Sequence, residues 1–304
     1  MPTSDHEVVT AAVDRLLTEH PPDRTDAKVF WGAQFDAGLA WVDFPVGDGG
    51  LGVAPRYREY VTRRLSEAGA PMWNRTANIL GIGMGAGVLA AHGTAEQRSR
   101  WLRPMFTMEE IWCQLFSEPG AGSDVAGLAT RAVRDGDEWV INGQKVWTTL
   151  AHLARWGLLV TRTDPDQPKH LGLTFFVVDM TVPGVEVRPL YQITGEAEFN
   201  EVFFDDARIP DDHRVDDVGA GWRVAMTTLM NERVAIGGNT VARGSGTIGV
   251  AVDTWTGSGS DDAATRRELV RLWAEVEAMR LTALRATENM KAGTPGPEGS
   301  TGKL

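Results

Sequence analysis

A chain of 304 residues with 42% apolar and 23% charged side chains can bury a sizeable core, and its length suggests two or three units of structure. Its formal charge of −11, from 30 Lys and Arg against 41 Asp and Glu, argues against a nucleic-acid binder, which needs a basic face; a small anionic ligand held by a few local donors stays possible. Cys113 stands alone, so an internal disulfide and a cysteine-built metal site are excluded.

The chain opens MPTSDHEVV, without the basic segment and apolar run of a signal peptide. With one cysteine and no apolar run of bilayer length, this leads to the expectation of a reducing, cytoplasmic protein without membrane insertion. Six histidines (His6, His20, His92, His152, His170 and His213) lack ligand spacing, so they are expected to be structural or exposed and no metal is expected.

Residues 1–112 read as an N-terminal helical domain. Ser4 to Glu7 has the form of a capping box ahead of Val9, Val13, Leu16 and Leu17 at helical spacing, and Thr94 to Gln97 offers a second box ahead of Trp101, Leu102 and Met105. Between them, Asp48 to Gly52 is a loop, Tyr57 to Ala68 a helix, and Ile79 to Ala91, the most apolar stretch, a buried helix.

Residues 113–218 change texture. Strands are expected at Glu138 to Ile141, Gly157 to Thr161, Thr174 to Val178 and Glu201 to Phe204, with turns at Asp135-Gly136, Asn142-Gly143, Asp164-Pro165 and Pro183-Gly184. Without helical crossovers the sheet should be antiparallel, folded as a barrel or sandwich. From 219 to 304 the helical period returns: Trp222, Met226, Leu229, Arg233 and Ile236 share one face, and a second helix runs from about Ala263 to Lys291, followed by a loop at Pro295 to Gly302. The fold class is therefore a multidomain α+β protein of helical, β and helical parts.

The stretch QLFSEPGAGS at 114–123 has the look of a phosphate loop and fails both standard forms. Gly120 and Gly122 are followed by Val125 where a dinucleotide loop has glycine, and Gly122 and Gly127 by Leu128 and Ala129 where a P-loop has Lys and Ser or Thr. On spacing alone it is a turn-rich connection.

Beside other stretches it says more. SEPGAGSDVAGL at 117–128, INGQKVWTT at 141–149, FNEVFFDDARIP at 199–210, GAGWRVAMTTLMNERVA at 219–235 and HGTAEQRSRWLRPM at 92–105 together resemble the acyl-CoA dehydrogenase family of flavoproteins, in that family's order and spacing over nearly the whole chain. The resemblance implies FAD as cofactor and α,β-dehydrogenation of an acyl-CoA thioester to the trans-2-enoyl-CoA, as in fatty-acid β-oxidation, with electrons passing on to an electron-transfer flavoprotein. It implies a homo- or hetero-oligomer, and a chain that stops within the C-terminal helical bundle.

Carried onto this chain, the resemblance sets Gln114, Phe116 and Ser117 at the flavin edge. Gly122 and Ser123 fall beside the FAD pyrophosphate and the CoA portion, with Ser123 counted on both sides. Trp147 lies against the flavin ring, Thr149 near its N5 with Thr148 beside it, and Met230, Asn231 and Arg233 in the acyl-CoA site. Glu232 takes the position of the base that removes the α-proton. On the residues alone, Trp147 is a core residue of an apolar strand, Thr148 and Thr149 are ordinary strand threonines, and Glu232, three residues after Leu229 and four before Ile236, flanks the apolar stripe of its helix, half-buried or, in the plainer reading, solvated. Two further readings stay open: a non-catalytic partner subunit of a heteromeric acyl-CoA dehydrogenase, and a flavin oxidase on the same fold. The combination of Ser117, Ser123, Trp147 and Thr149 favours the enzyme.

Overall fold

The computed structural model describes residues 4–72, 78–237 and 242–291, with side chains throughout except at 233–237, 290 and 291. The chain divides into two compact units, Met1–Thr228 and Leu229–Leu304. In the first, α1 (Asp5–Glu19) starts on the capping box read from the sequence: the Glu7 amide donates to Ser4 Oγ at 3.3 Å and the Ser4 amide to the Glu7 carboxylate at 2.8 Å. Its Val9, Ala12, Val13 and Leu16 pack on Phe30 of α2 (Ala27–Asp36), on Val61 and Leu65 of α3 (Tyr57–Glu67), and on Leu39 and Val42 of the intervening loop. The apolar stretch after Asn78 is buried as expected, but opens as a π-helix over Leu80–Gly85 before α4 (Ala86–His92). The second capping box starts α5 (Ala95–Phe106).

Eight strands form one sheet: β1 (Trp112–Leu115), β2 (Arg131–Asp135), β3 (Glu138–Thr149), β4 (Trp156–Arg162), β5 (Leu173–Asp179), β6 (Val185–Leu190), β7 (Phe199–Pro210) and β8 (Arg214–Val215). The order is β6-β7-β3-β2-β4-β5-β8, with β1 also on β4. The sheet is not wholly antiparallel, because β1 and β2 both run parallel to β4. The long connection through residues 116–130 leads from β1 into β2, so that both strands lie beside β4 in the same direction without a long helical crossover. β4 and β5 are covered on both faces, which is why they read as unbroken apolar runs.

Asn142-Gly143 is not a turn. It lies inside β3, where the pairing with β7 shifts register between Ile141 and Gly143, and the Asn142 side chain bonds Asp206 across the bulge, accepting from its amide at 3.0 Å and donating to its carboxylate at 2.8 Å. Gly143 has φ 150°, and a Cβ there would stand 2.5 Å from Thr130 Oγ1 and 2.7 Å from Thr130 Cα.

Helix α6 (Gly221–Gly237) starts against β5: the Gly219 amide donates to Thr174 Oγ1 at 3.0 Å, and a Cβ on Gly221 would meet the Thr174 backbone nitrogen at 2.6 Å. Its buried positions are Gly221, Val224, Ala225 and Thr228, whereas Trp222 and Met226 of the expected stripe are only half covered. At the start of the helix the close approach to β5 leaves no room for a side chain at Gly221, and Trp222 lies on His170, ring centroids 4.6 Å apart. The Arg233 and Ile236 side chains fall outside the described residues.

In the second unit, α7 (Thr247–Gly257) precedes α8 (Ala263–Lys291), which starts where Asp262 accepts from the Thr265 amide at 2.8 Å. Arg243 lies over the Trp273 ring at 5.0 Å and 3.5 Å from Glu277. The loop at Pro295 to Gly302 falls outside the described residues. Among the described residues no helix is long and apolar enough to cross a membrane, and no group of three His, Cys, Asp or Glu could hold a metal. Gly143→Ala should destabilise the first unit by about 1–3 kcal/mol, because its φ and the Thr130 contact both oppose a side chain; urea unfolding reads this, and an unchanged midpoint would contradict the bulge geometry.

Candidate functional site

The candidate site of the first unit begins with a charge inside the protein. Lys145 on β3 is fully buried, and its Nζ donates to Glu118 Oε1 at 2.8 Å and to the Phe116 carbonyl at 3.1 Å. Glu118 also accepts from the backbone amides of Ala129 at 2.6 Å and Thr130 at 3.0 Å. Its backbone exchanges two hydrogen bonds with Ala121, at 2.9 and 3.0 Å, closing a tight turn over Pro119 and Gly120. One ion pair thus fastens both ends of the 116–130 connection to the sheet. Burial pushes the Lys145 ammonium down to about 8, an effect Glu118 partly offsets. Burial would raise the Glu118 carboxyl, but Lys145 and the two amides prevail and hold it below the ordinary glutamate value.

The residue after Lys145 joins the same construction. The Val146 amide donates to the Ser117 carbonyl at 2.9 Å, which brings the 114–117 segment alongside the end of β3. There the pairing with β7 shifts register between Lys145 and Thr148, and Trp147 takes φ 60°. A left-handed conformation at a bulky residue costs on the order of 1–3 kcal/mol and persists only where its surroundings fix it. Trp147 is 62% exposed, its one described ring neighbour being Phe199, edge-on at 6.0 Å. The core reading of this tryptophan is therefore corrected: the bulge turns the ring outward, away from the apolar interior.

Around it stand the other residues singled out in the sequence. Gln114, Ser117 and Thr149 are half-buried, Gly122 and Ser123 exposed, and Phe116 and Thr148 buried. Thr148 has its side chain inside the sheet, so toward the outside it offers only backbone. The hydroxyls of Ser117, Ser123 and Thr149 bond no described residue. A Cβ on Gly120 or Gly122 would meet nothing within 4 Å, and neither has a positive φ. The chain's own packing does not require glycine at either place, so the turn is open to close approach by another molecule.

The resulting wall, with an exposed flat ring, three uncommitted hydroxyls and an open glycine turn, has the make-up of a site for a large planar cofactor carrying phosphates. Family models described as the N-terminal, middle and C-terminal domains of acyl-CoA dehydrogenase match residues 3–109, 113–207 and 219–304. The chain belongs to the acyl-CoA dehydrogenase family. Acyl-CoA dehydrogenases are flavin-dependent oxidoreductases.

Among curated relatives, the acyl-CoA dehydrogenase IpdE1 of Mycobacterium tuberculosis is 42% identical over 263 residues, which cover 86% of this chain and 68% of that protein. The acyl-CoA dehydrogenase FadE34 of the same organism is 57% identical over 151 residues, 50% of this chain and 21% of its own length. The Mycolicibacterium smegmatis IpdE1 is 42% identical, with 65% of its length spanned. Among solved structures, the ChsE4-ChsE5 complex from M. tuberculosis covers 100% of this chain and 81% of its own, at 26% identity and a TM-score of 0.68. The Tcur3481-Tcur3483 steroid ACAD covers 98% and 79%, at 25% identity and a TM-score of 0.74.

The first unit brings together Gln114, Phe116, Ser117, Trp147, Thr148 and Thr149, with Gly122 and Ser123 on the adjoining turn. Met230, Asn231 and Glu232 lie on α6 in the second unit, Met230 exposed and the other two half-buried. Sequence reading missed Glu118 and Lys145 although both lie inside the quoted stretches. Two opposite charges flanking a motif were the available signal, and their burial is a tertiary property. Lys145→Met should cost about 3–5 kcal/mol by stranding Glu118, and combined with Glu118→Gln should cost clearly less than the two single changes added. Denaturant unfolding of the three variants measures this, and additive losses would contradict a coupled buried pair. The Glu118 contribution is present above the ordinary glutamate range and lost as pH falls through it, so Glu118→Gln should lose less stability on acidification than the wild type.

Proposed function

We propose that this chain binds FAD along the wall from Gln114 to Thr149 and oxidises the α,β bond of an acyl-CoA thioester to the trans-2-enoyl-CoA. The observation that carries this reading is Trp147, an exposed indole held at φ 60° beside uncommitted hydroxyls and a glycine turn that the fold itself does not need. In this reading the indole lies against the flavin ring, and Ser117 and Thr149 donate to its edge; a donor there favours negative charge gathering on the ring. Gly122 and Ser123 approach the pyrophosphate and the CoA portion. Bound FAD supplies the acceptor for the β-hydrogen, which leaves as hydride.

Glu232 takes the α-proton as general base. It is half-buried on α6. Met230, Asn231 and Arg233 line the acyl-CoA. An electron-transfer flavoprotein is the proposed next acceptor, and the cytoplasm the proposed location. Solved neighbours described as a steroid ACAD make CoA thioesters with a steroid-derived acyl group the first members of a substrate panel, ahead of straight-chain ones.

A second reading has a specific observation behind it. Val270, Met279 and Leu281 are each more than half exposed on α8, and one neighbour is a complex of two different chains. This supports assembly with a second acyl-CoA dehydrogenase chain as a homo- or hetero-oligomer.

The tests are spectroscopic. The purified chain, with FAD added, should show bound-flavin absorbance that bleaches with a member of the panel. Glu232→Gln should keep the flavin and slow bleaching by about 10²–10⁴, the usual contribution of a positioned general base. Undiminished bleaching in the variant would refute the base, and no bound flavin in the wild type would refute the reading.

A further inference from the structure

Resting on the reading of Trp147 to Thr149 as the flavin-facing wall, we infer that Asn200 is the positioning residue that sets the shape of this wall. The need for such a residue is visible in the backbone. Within four residues, Trp147 at φ 60° and Leu150 at φ 58° are both left-handed without being glycine, and between them the β3–β7 ladder has just recovered from its register shift. Local strain of this kind reverts unless neighbouring groups over-determine it. The ladder alone does not do so here, because it is interrupted on one side of Trp147 and ends at Thr149.

Asn200, the β7 partner of Thr148, supplies the missing restraint. It is fully buried, and its Nδ2 has three acceptors within reach: the Thr148 carbonyl at 3.0 Å, His152 Nδ1 at 3.2 Å and the Glu198 carbonyl at 3.3 Å. Two of these are carbonyls, which fixes the amide's orientation with the nitrogen toward them. The Glu198 carbonyl also accepts from the Leu150 amide at 3.2 Å. With its two protons on the Thr148 and Glu198 carbonyls, the amide therefore ties the end of β3, before the second left-handed residue, to the backbone just ahead of β7.

Asn200 Oδ1 and Thr148 Oγ1 bond no described residue, so among the described residues the side chain's hold on the wall runs through Nδ2 alone. An aliphatic side chain of similar size would fill the space and hold nothing. Asn200 touches no part of the proposed substrate or cofactor; it acts through Thr148 and the conformation of Trp147.

Asn200→Ala, with Asn200→Ser to serve in its place should the alanine variant not fold, separates this role from plain stability. Amide hydrogen exchange on the full chain should rise about tenfold or more at Thr148, Thr149 and Leu150, the worth of one lost buried hydrogen bond, while β4 and β5 keep their protection. FAD should bind about tenfold more weakly, with a changed absorption envelope. Exchange unchanged at 148–150, or raised equally in β4 and β5, overturns the inference. A local rise in exchange in a chain whose wild type binds no flavin leaves Asn200 in its role and overturns the flavin reading instead.

Discussion

The Lys145 ammonium lies where water does not reach, and a charge so placed is tolerable only if it is paired and hydrogen-bonded. Glu118 and the Phe116 carbonyl meet that demand, and in meeting it they tie the 116–130 connection to β3, with the Glu118 carboxylate reaching on to Ala129 and Thr130. The consequence is geometrical. Two segments that are distant along the chain, 114–117 and 147–149, become one surface, because the residue next to Lys145 bonds the residue next to Glu118.

That surface has features which packing alone would select against. An indole turned outward at an unfavourable φ, with only the Phe199 ring described beside it, and two glycines with open space above them are features that local stability does not favour. Departures from local consistency of this type gather at functional sites. The family to which the chain belongs works on acyl-CoA with a flavin, and the surface has the ring, hydroxyls and open turn that such a cofactor would engage. Electrostatics support the same arrangement from below: Lys145 and Glu118 compensate each other, so the wall is braced by charge without presenting one.

What the sequence revealed and what it concealed divide along a physical line. Ser4 and Thr94 were legible, since a cap is a local hydrogen bond between residues three apart. So was the order of helical and β parts, which follows from hydrophobic period. The Asn142-Gly143 bulge was not, because a turn and a bulge use the same residue types and only the pairing of β3 with β7 tells them apart. The parallel pairing of β1 with β4 and the choice of Val224, Ala225 and Thr228 as the inner face of α6 likewise depend on what lies opposite. Trp147 is the instructive case: residue type placed it in the core, the resemblance placed it on a ligand, and the backbone turns it outward. Lys145 and Glu118 sat unread within the motifs because nothing in a one-dimensional pattern announces that a charge is buried.

The central claim is that Trp147 is exposed in order to receive a flavin ring, and a titration of FAD into the chain followed by flavin fluorescence tests it most directly. An indole stacked on the ring should quench the emission as binding proceeds, and Trp147→Leu should weaken binding by about tenfold and abolish most of that quenching. Binding and quenching that are the same in Trp147→Leu as in the wild type would contradict the account.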